Sequence, residues 1–499
     1  MTGMLPIFKI NLRISLSSLC LMVLSPLFVN SFMLDPHSRA KIKLESQQVE
    51  LAQLTYANLL SVATVGTPLF LSPTIKRGDI AEARRLAAVL PIPPLLPGIE
   101  SFSGFITVNE NLGSNLFFWM FKSLEGDWTS KPLIIWIQGG PGLTAMFGLV
   151  EEIGPFTVNQ KVNAFRRKYT WCRKYNLLFI DSPVGTGFSF TAHDAGYPTS
   201  DLGVAIDLYA FLVQFYAMFP ELKSNPMFLI GESYAGKMIP AFAHYIHLRN
   251  KENEGKGFVV PLTAVAVGNG FSDPISMLDY SNYLYHLGYL DRAGRDLIRT
   301  YEDQIRAAIR ANKWVEARNI FYDMMFGAIY NITQLIAPYN YIHDGAASNP
   351  PTYEFFMRPD VRAAIHVGNL KFNFMSDKVW DSMAAAFMQS AKPWIEDILN
   401  WGEFSYVSFS GMLDIICAYT LSENMFYDLN WKHAAAYATA KRCPYYMNGW
   451  LAGYVKTVGV FTEVSLRTVG HMVAYEEPEI GFTFLDTLMT NRTLGFRCD

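Results

Sequence analysis

With 499 residues, 51% of them hydrophobic and 17% charged, the chain is long enough for one large domain with insertions and too apolar to be disordered. Its formal net charge of -3, with no long basic run, offers no field for nucleic acid.

Residues 1–31 read as a secretory leader. Lys9 and Arg13 flank an apolar stretch from Ile14 to Val29, and Val29-Asn30-Ser31 offers a small residue for cleavage, so the mature chain is expected to start near Phe32. The apolar stretch falls short of the about 20 uninterrupted residues that a span needs, and no later segment reaches them, so no stable membrane insertion is expected. Cys20 leaves with the leader. Cys172, Cys417, Cys443 and Cys498 remain, an even count that permits two disulfides without establishing any. Asn331-Ile332-Thr333 and Asn491-Arg492-Thr493 are N-glycosylation sequons. Together with the leader they point to the secretory pathway, ending outside the cell or in a lysosome.

Residues 32–100 form an N-terminal segment open to processing. It holds a helical stretch from Ile80 to Val89 and then Pro91, Pro93, Pro94 and Pro97, an extended connector. Phe105 to Val108 and Asn115 to Phe121 pair as strands across the turn residues Asn111 to Gly113. Short apolar runs follow at Leu133 to Ile137, Leu177 to Ile180, Met227 to Ile230, Ala264 to Val267 and Tyr406 to Phe409. Runs of this kind, each followed by a loop and a helix-like segment, describe strands buried on both faces of an α/β sheet. Ser281 to Tyr341 is strongly helical, rich in Arg, Ala and Tyr, and interrupts the alternation. The expected organisation is a core over residues 101–280, a helical cap insertion over 281–350, and the rest of the core over 351–499.

Three motifs carry chemistry. Gly231-Glu232-Ser233-Tyr234-Ala235-Gly236 lies between an apolar strand and a helical segment, Lys237 to Arg249. That is the context of a nucleophile elbow, although Ala235 stands where the strict G-x-S-x-G pattern has glycine. Gln138-Gly139-Gly140-Pro141-Gly142 follows the strand Leu133 to Ile137; glycines there let backbone N–H groups approach a ligand. Gly470-His471-Met472-Val473 follows a strand-like run from Phe461 to Val469, where the base of such an enzyme belongs. The acid lies between Ser233 and His471 in chain order. Asp414 follows the strand Tyr406 to Phe409; Asp397 and Asp428, in helix-like stretches, are the weaker choices.

These segments resemble the serine carboxypeptidase family, most closely its vitellogenic carboxypeptidase-like branch. The resemblance rests on Trp136 to Gly142, Asp181-Ser182-Pro183-Val184-Gly185-Thr186-Gly187-Phe188-Ser189, Gly231 to Lys237 and Gly470 to Val473, in order and at similar spacing, over a region from Phe102 to the C-terminus. It implies an α/β-hydrolase fold, with a central mixed, mostly parallel sheet. It also implies a triad of Ser233, Asp414 and His471, with oxyanion donors at the N–H groups of Gly140 and Tyr234. A receptor for the substrate's free carboxylate is implied at Gln138, Gly139, Glu152 and Glu232, in which two close carboxyls share a proton. The alternative for Glu152 is a solvated helix glutamate beside Glu151. Cys417 and Met472 are implied to line a substrate pocket; the alternatives for Cys417 are a buried apolar thiol and a disulfide half. Leu143 stands where the family often has Cys, and Ala474 and Glu477 where Pro and Gln are usual.

The resulting expectation is a serine-type carboxypeptidase that releases the C-terminal residue through an acyl-enzyme, with an acidic optimum. Its partner is a peptide or protein with a free C-terminus, and a homodimer remains open. No metal or organic cofactor is implied, since no HExxH and no paired Cys/His cluster occur. Two other readings use the same residues: an acyltransferase or esterase on this scaffold, and a non-catalytic binding protein.

Overall fold

The structure, a computed structural model, describes residues 65–89, 98–342 and 351–490. The expected leader with Cys20, the proline cluster from Pro91 to Pro97, Asn491 and Cys498 lie outside these residues.

A ten-stranded sheet forms the centre. Its strands are β1 (Ser101–Asn109), β2 (Ser114–Phe121), β3 (Leu133–Ile137), β4 (Asn176–Ile180), β5 (Met227–Glu232), β6 (Leu262–Gly268), β7 (Ser405–Gly411), β8 (Cys443–Met447), β9 (Trp450–Val458) and β10 (Phe461–Leu466). The spatial order is β1-β2-β4-β3-β5-β6-β7-β10-β9-β8. From β4 to β10 neighbouring strands run parallel, and antiparallel pairs close both edges.

The apolar runs form strands because both faces of the sheet are covered. In β3, Leu133, Ile135 and Ile137 join one core cluster while Ile134 and Trp136 join the other, the two-residue period of a strand. Each such side chain, once buried, stabilises the fold by about 1.5–3 kcal/mol before entropy is counted. One face is covered by α1 (Asp201–Met218), capped by Ser200 accepting from the Gly203 N–H, and α2 (Ala235–Asn253). The helix Pro478–Thr490 lies on the other face, through Ile480, Phe484 and Leu485.

Between β6 and β7 the chain builds α3 (Tyr280–His286), α4 (Arg292–Arg310) and α5 (Trp314–Tyr322), then a wider turn over Asp323–Ile329 and a short helix, Tyr330–Thr333. Asp291 caps α4 by accepting from Gly294 N–H at 2.7 Å, and Ile298, Ile305 and Ile309 form its buried stripe.

Two expectations shift and one element is new. The helix from Ile80 stops at Ala87, because Ala88 bridges to Phe102 of β1. The last strand ends at Leu466 rather than Val469, where Thr468 takes a φ of 66°. The β8–β9 hairpin is absent from the sequence reading, although Asn448-Gly449 signals it: both residues have positive φ, 51° and 83°, as the favoured two-residue hairpin turn requires. Cys172 and Cys417 are free thiols and Cys443 is disulfide-bonded, so the two disulfides that the count permits do not both form.

Candidate active site

Ser233 sits between the end of β5 and the start of α2 with a φ of 63°, a left-handed backbone that few non-glycine residues adopt and that surrounding bonds must enforce. Its N–H donates to Gly268 O at 2.9 Å, and its carbonyl accepts from Gly236 and Phe271 N–H groups, both at 2.9 Å. Small neighbours make the turn possible. A Cβ at Gly231 would lie 2.1 Å from Ile137 O, and one at Gly236 would lie 2.8 Å from Gly270 Cα. Ala235 departs from the strict pattern without harm, since it is the first residue of α2 and takes ordinary helical backbone.

The glycine loop after β3 packs directly on this turn. A Cβ at Gly139 would lie 2.6 Å from Ser233 Cβ and 2.9 Å from Tyr234 N. Gly140 has a φ of 115°. Among the described residues, the N–H groups of Gly140 and Tyr234 are not used by the backbone bonds of either turn. The segment from Asp181 to Ser189 braces the loop. Buried Asp181 accepts from Thr144 Oγ1 at 2.5 Å and Ala145 N–H at 3.0 Å, and from Phe188 N–H at 2.8 Å. Burial pushes its carboxyl up to about 7. Leu143 pairs across the loop with Met375.

Asp414 and His471 meet beside the turn after β6, whose Asn269 bonds Asp414 and whose Phe271 N–H bonds the Ser233 carbonyl. Asp414 Oδ2 accepts from His471 Nδ1 at 2.8 Å, with both side chains buried. The same carboxylate accepts from Asn269 Nδ2 at 2.8 Å and from the N–H groups of Ile416 and Cys417 at 2.9 and 3.2 Å. These donors fix the orientation of the carboxylate against His471 Nδ1. Among the described residues His471 Nε2 is buried without a hydrogen-bond partner. The weaker choices are ordinary surface ion pairs: Asp397 meets His244 at 3.0 Å and Asp428 meets Lys392 at 2.6 Å.

A second cluster lies beside Ser233. Gln138 Oε1 accepts from Trp136 Nε1 at 2.6 Å, which aims the Gln138 amide N–H₂ at two carboxyls: Glu232 at 2.8 Å and Glu152 at 3.3 Å. Glu152 is 1% exposed, so the solvated-helix alternative does not describe it. It sits on a wide helical turn, Gly148–Ile153. A Cβ at Gly148 would lie 2.2 Å from Trp136 Nε1; glycine lets that turn close on the tryptophan. Burial pushes Glu152 up to about 7. Burial also holds Glu232 well above the usual carboxyl range, and the Glu152 charge adds to it. Arg167 caps the turn, donating to the carbonyls of Val150 and Gly154; burial lowers its guanidinium to about 10, opposed in part by the Glu151 and Glu152 charges.

Cys417 is buried, and its sulfur lies within 4.8 Å of a carboxylate oxygen of Asp414 and a ring nitrogen of His471. Asp414 and His471 are bonded to each other, so this trio is a hydrogen-bonded pair with a thiol beside it. Met472 follows His471 half-buried, and Asn331 is exposed at the end of the helical segment. Asn269, Arg167 and Gly148 were not singled out in the sequence. Each is a lone residue of common type, and only Gly148, four residues before Glu152, was near a flagged position.

Topology and site together are those of an α/β-hydrolase of the serine type. The chain belongs to the serine carboxypeptidase family, whose profile matches residues 93–491, and it is a serine-type carboxypeptidase acting on peptides. It is 42% identical to a venom serine carboxypeptidase of Apis mellifera over 88% of this chain and 94% of that one. It is 35% identical to a vitellogenic carboxypeptidase of Aedes aegypti over 84% and 89%. The fold matches the crystal structure of a prohormone-processing carboxypeptidase from Saccharomyces cerevisiae with a TM-score of 0.73 at 22% identity, covering 82% of this chain and 96% of that one.

Proposed function

We propose that Ser233, His471 and Asp414 perform the peptide cleavage and that Gln138, Gly139, Glu152 and Glu232 confine it to the last bond. His471 Nε2 takes the Ser233 Oγ proton as Oγ bonds to the carbonyl carbon. The N–H groups of Gly140 and Tyr234 hold the oxyanion. His471 then protonates the leaving amine, the C–N bond breaks, and the terminal amino acid departs. Water, deprotonated by His471, releases the shortened peptide from the acyl-enzyme. Asp414 keeps the tautomer and stabilises the imidazolium. The observation that carries this reading is the 2.8 Å Asp414–His471 bond, which leaves a buried Nε2 without a partner.

The receptor supports the exopeptidase reading. A protonated Glu152–Glu232 pair and the Gln138 amide donate hydrogen bonds to a carboxylate; a doubly charged pair repels one. The same chemistry gives an acidic optimum and suits an acidic compartment of the secretory pathway. The helices between β6 and β7 act as a cap, supported by Tyr283 Oη donating to Asp414 O at 3.0 Å and Tyr280 Oη to Ile416 O at 2.7 Å. Cys417 and Met472 line the pocket for substrate side chains, and Asn331 carries glycan. The test is turnover of an N-blocked dipeptide acid against its amide. The reading requires the acid to be much the better substrate; equal turnover overturns it in favour of an esterase or general hydrolase.

A further inference from the structure

The end of the helical insertion touches both loops of the Asp414–His471 pair. After Tyr330–Thr333 the chain runs through Pro338, Tyr339, Asn340 and Tyr341. Toward Asp414, the N–H groups of Ile415 and Ile416 donate to Pro338 O at 2.9 and 3.1 Å, and Tyr341 N–H donates to Leu413 O at 3.0 Å. Toward His471, the His471 N–H donates to Tyr339 O at 2.8 Å, and the two rings lie 5.2 Å apart. A Cβ at Gly470 would lie 2.2 Å from Tyr339 O. One side chain ties this strap to the histidine loop a second time. Glu476 Oε2 accepts from Asn340 Nδ2 and from Gly470 N–H, both at 2.6 Å. Asn340 is buried, and its Oδ1 accepts from Ile342 N–H at 3.0 Å.

We propose that Glu476 and Asn340 form a clamp that positions His471, so that the last residues of the insertion are part of the catalytic geometry. Neither touches reacting atoms; both are positioning residues. Among the described residues, the bond from His471 N–H to Tyr339 O is the strap's single backbone link to the histidine loop. Glu476 adds a second fixed point at Gly470, through 2.6 Å hydrogen bonds from Gly470 N–H and Asn340 Nδ2. Two points one residue apart set the direction in which the imidazole faces Ser233. A shift of about 1 Å in such a group costs on the order of 100-fold in rate.

The inference rests on the Ser233–His471–Asp414 reading, and one experiment separates the two. Turnover of a blocked dipeptide acid, the rate of labelling by a fluorophosphonate probe, and melting are measured for Glu476→Ala, Glu476→Gln, Asn340→Ala, the Glu476→Ala/Asn340→Ala pair and Ser233→Ala. Glu476→Ala and Asn340→Ala are expected to lower kcat and labelling together by about 10- to 100-fold, with KM nearly unchanged. Glu476→Gln keeps an acceptor oxygen and is expected to restore much of the rate. The double variant should be no slower than the slower single, as for one unit. A cooperatively melting Glu476→Ala protein with normal kcat, or with raised KM alone, overturns the clamp. If Glu476→Ala does not fold, Asn340→Ala decides by the same readouts. Ser233→Ala labelling as fast as the parent protein overturns the triad reading instead.

Discussion

Asn269 and Asp414 stand 145 positions apart, yet Asn269 Nδ2 donates at 2.8 Å to the same Asp414 oxygen that accepts from His471 Nδ1 at 2.8 Å. Asn269 is fully buried, has a φ of 41°, and its Oδ1 accepts from Gly411 N–H at 3.0 Å. It therefore joins the turn after β6 to the end of β7 while bonding a buried carboxylate. Asn269→Ala is expected to cost about 1.5–3 kcal/mol of stability, the range for a bond to a charged group. It should also lower kcat by about 10-fold or more as the acid loses its orientation. Denaturant melts together with steady-state kinetics check both; unchanged stability and kcat would show the bond to be incidental.

Ser233→Ala removes the proposed nucleophile and leaves the elbow's backbone bonds in place. The expected loss in kcat is on the order of 10⁴ to 10⁶, with a melting transition close to that of the parent protein. Peptidase activity within about tenfold of the parent would contradict the assignment.

The acid pair gives a pH dependence of definite sign. Glu152 is pushed up to about 7 by burial, and Glu232 lies well above its ordinary value for the same reason and through the Glu152 charge. Below about 7 the pair carries a proton to donate to a substrate carboxylate, so KM for a peptide acid is expected to be low there and to rise toward alkaline pH. A substrate blocked at its C-terminus does not meet the pair, and its KM should stay flat. Glu152→Gln with Glu232→Gln, which donate at every pH, should flatten the peptide-acid profile. Stability follows the same groups: raised folded-state values contribute most below the ordinary Glu range, and this contribution is lost as pH rises through about 7. Thermal melts at several pH values check that trend.

Cys417 is a thiol beside the imidazole, but burial holds it well above the usual thiol range, and the Asp414 and Glu232 charges add to this. It remains protonated and is no rival nucleophile. A bulky mercurial, which bonds a thiol without needing a free thiolate, is expected to inhibit, and Cys417→Ser to resist it. Alkylation by iodoacetamide at neutral pH should be slow. Equal mercurial inhibition of both proteins would remove Cys417 from the pocket.

The parallel strands were legible because strands buried on both faces are continuous apolar runs; β3 begins and ends as expected, at Leu133 and Ile137. The elbow was legible because its chemistry is local: a strand, a serine held at positive φ between small residues, and a helix. The β8–β9 hairpin went unread although Asn448-Gly449 announced it, since β8 alternates buried and exposed residues and β9 mixes buried with exposed positions, in place of an apolar run. Asn269, Gly148, Asn340 and Glu476 carry no local signature. Their roles come from partners brought in by distant chain segments.

Residue types and their order along the chain were enough to determine the alternation of the fold, the turn that holds Ser233, the glycine loop and the histidine after the last strand, because each depends on neighbours a few positions away. Only the tertiary structure decided between Asp414 and the weaker choices Asp397 and Asp428 as the partner of His471, and between a buried and a solvated Glu152. It also decided that the insertion's end grips the histidine loop. Hydrogen bonds, desolvation and charge repulsion act through space over a few ångströms, and the folded chain alone sets those distances.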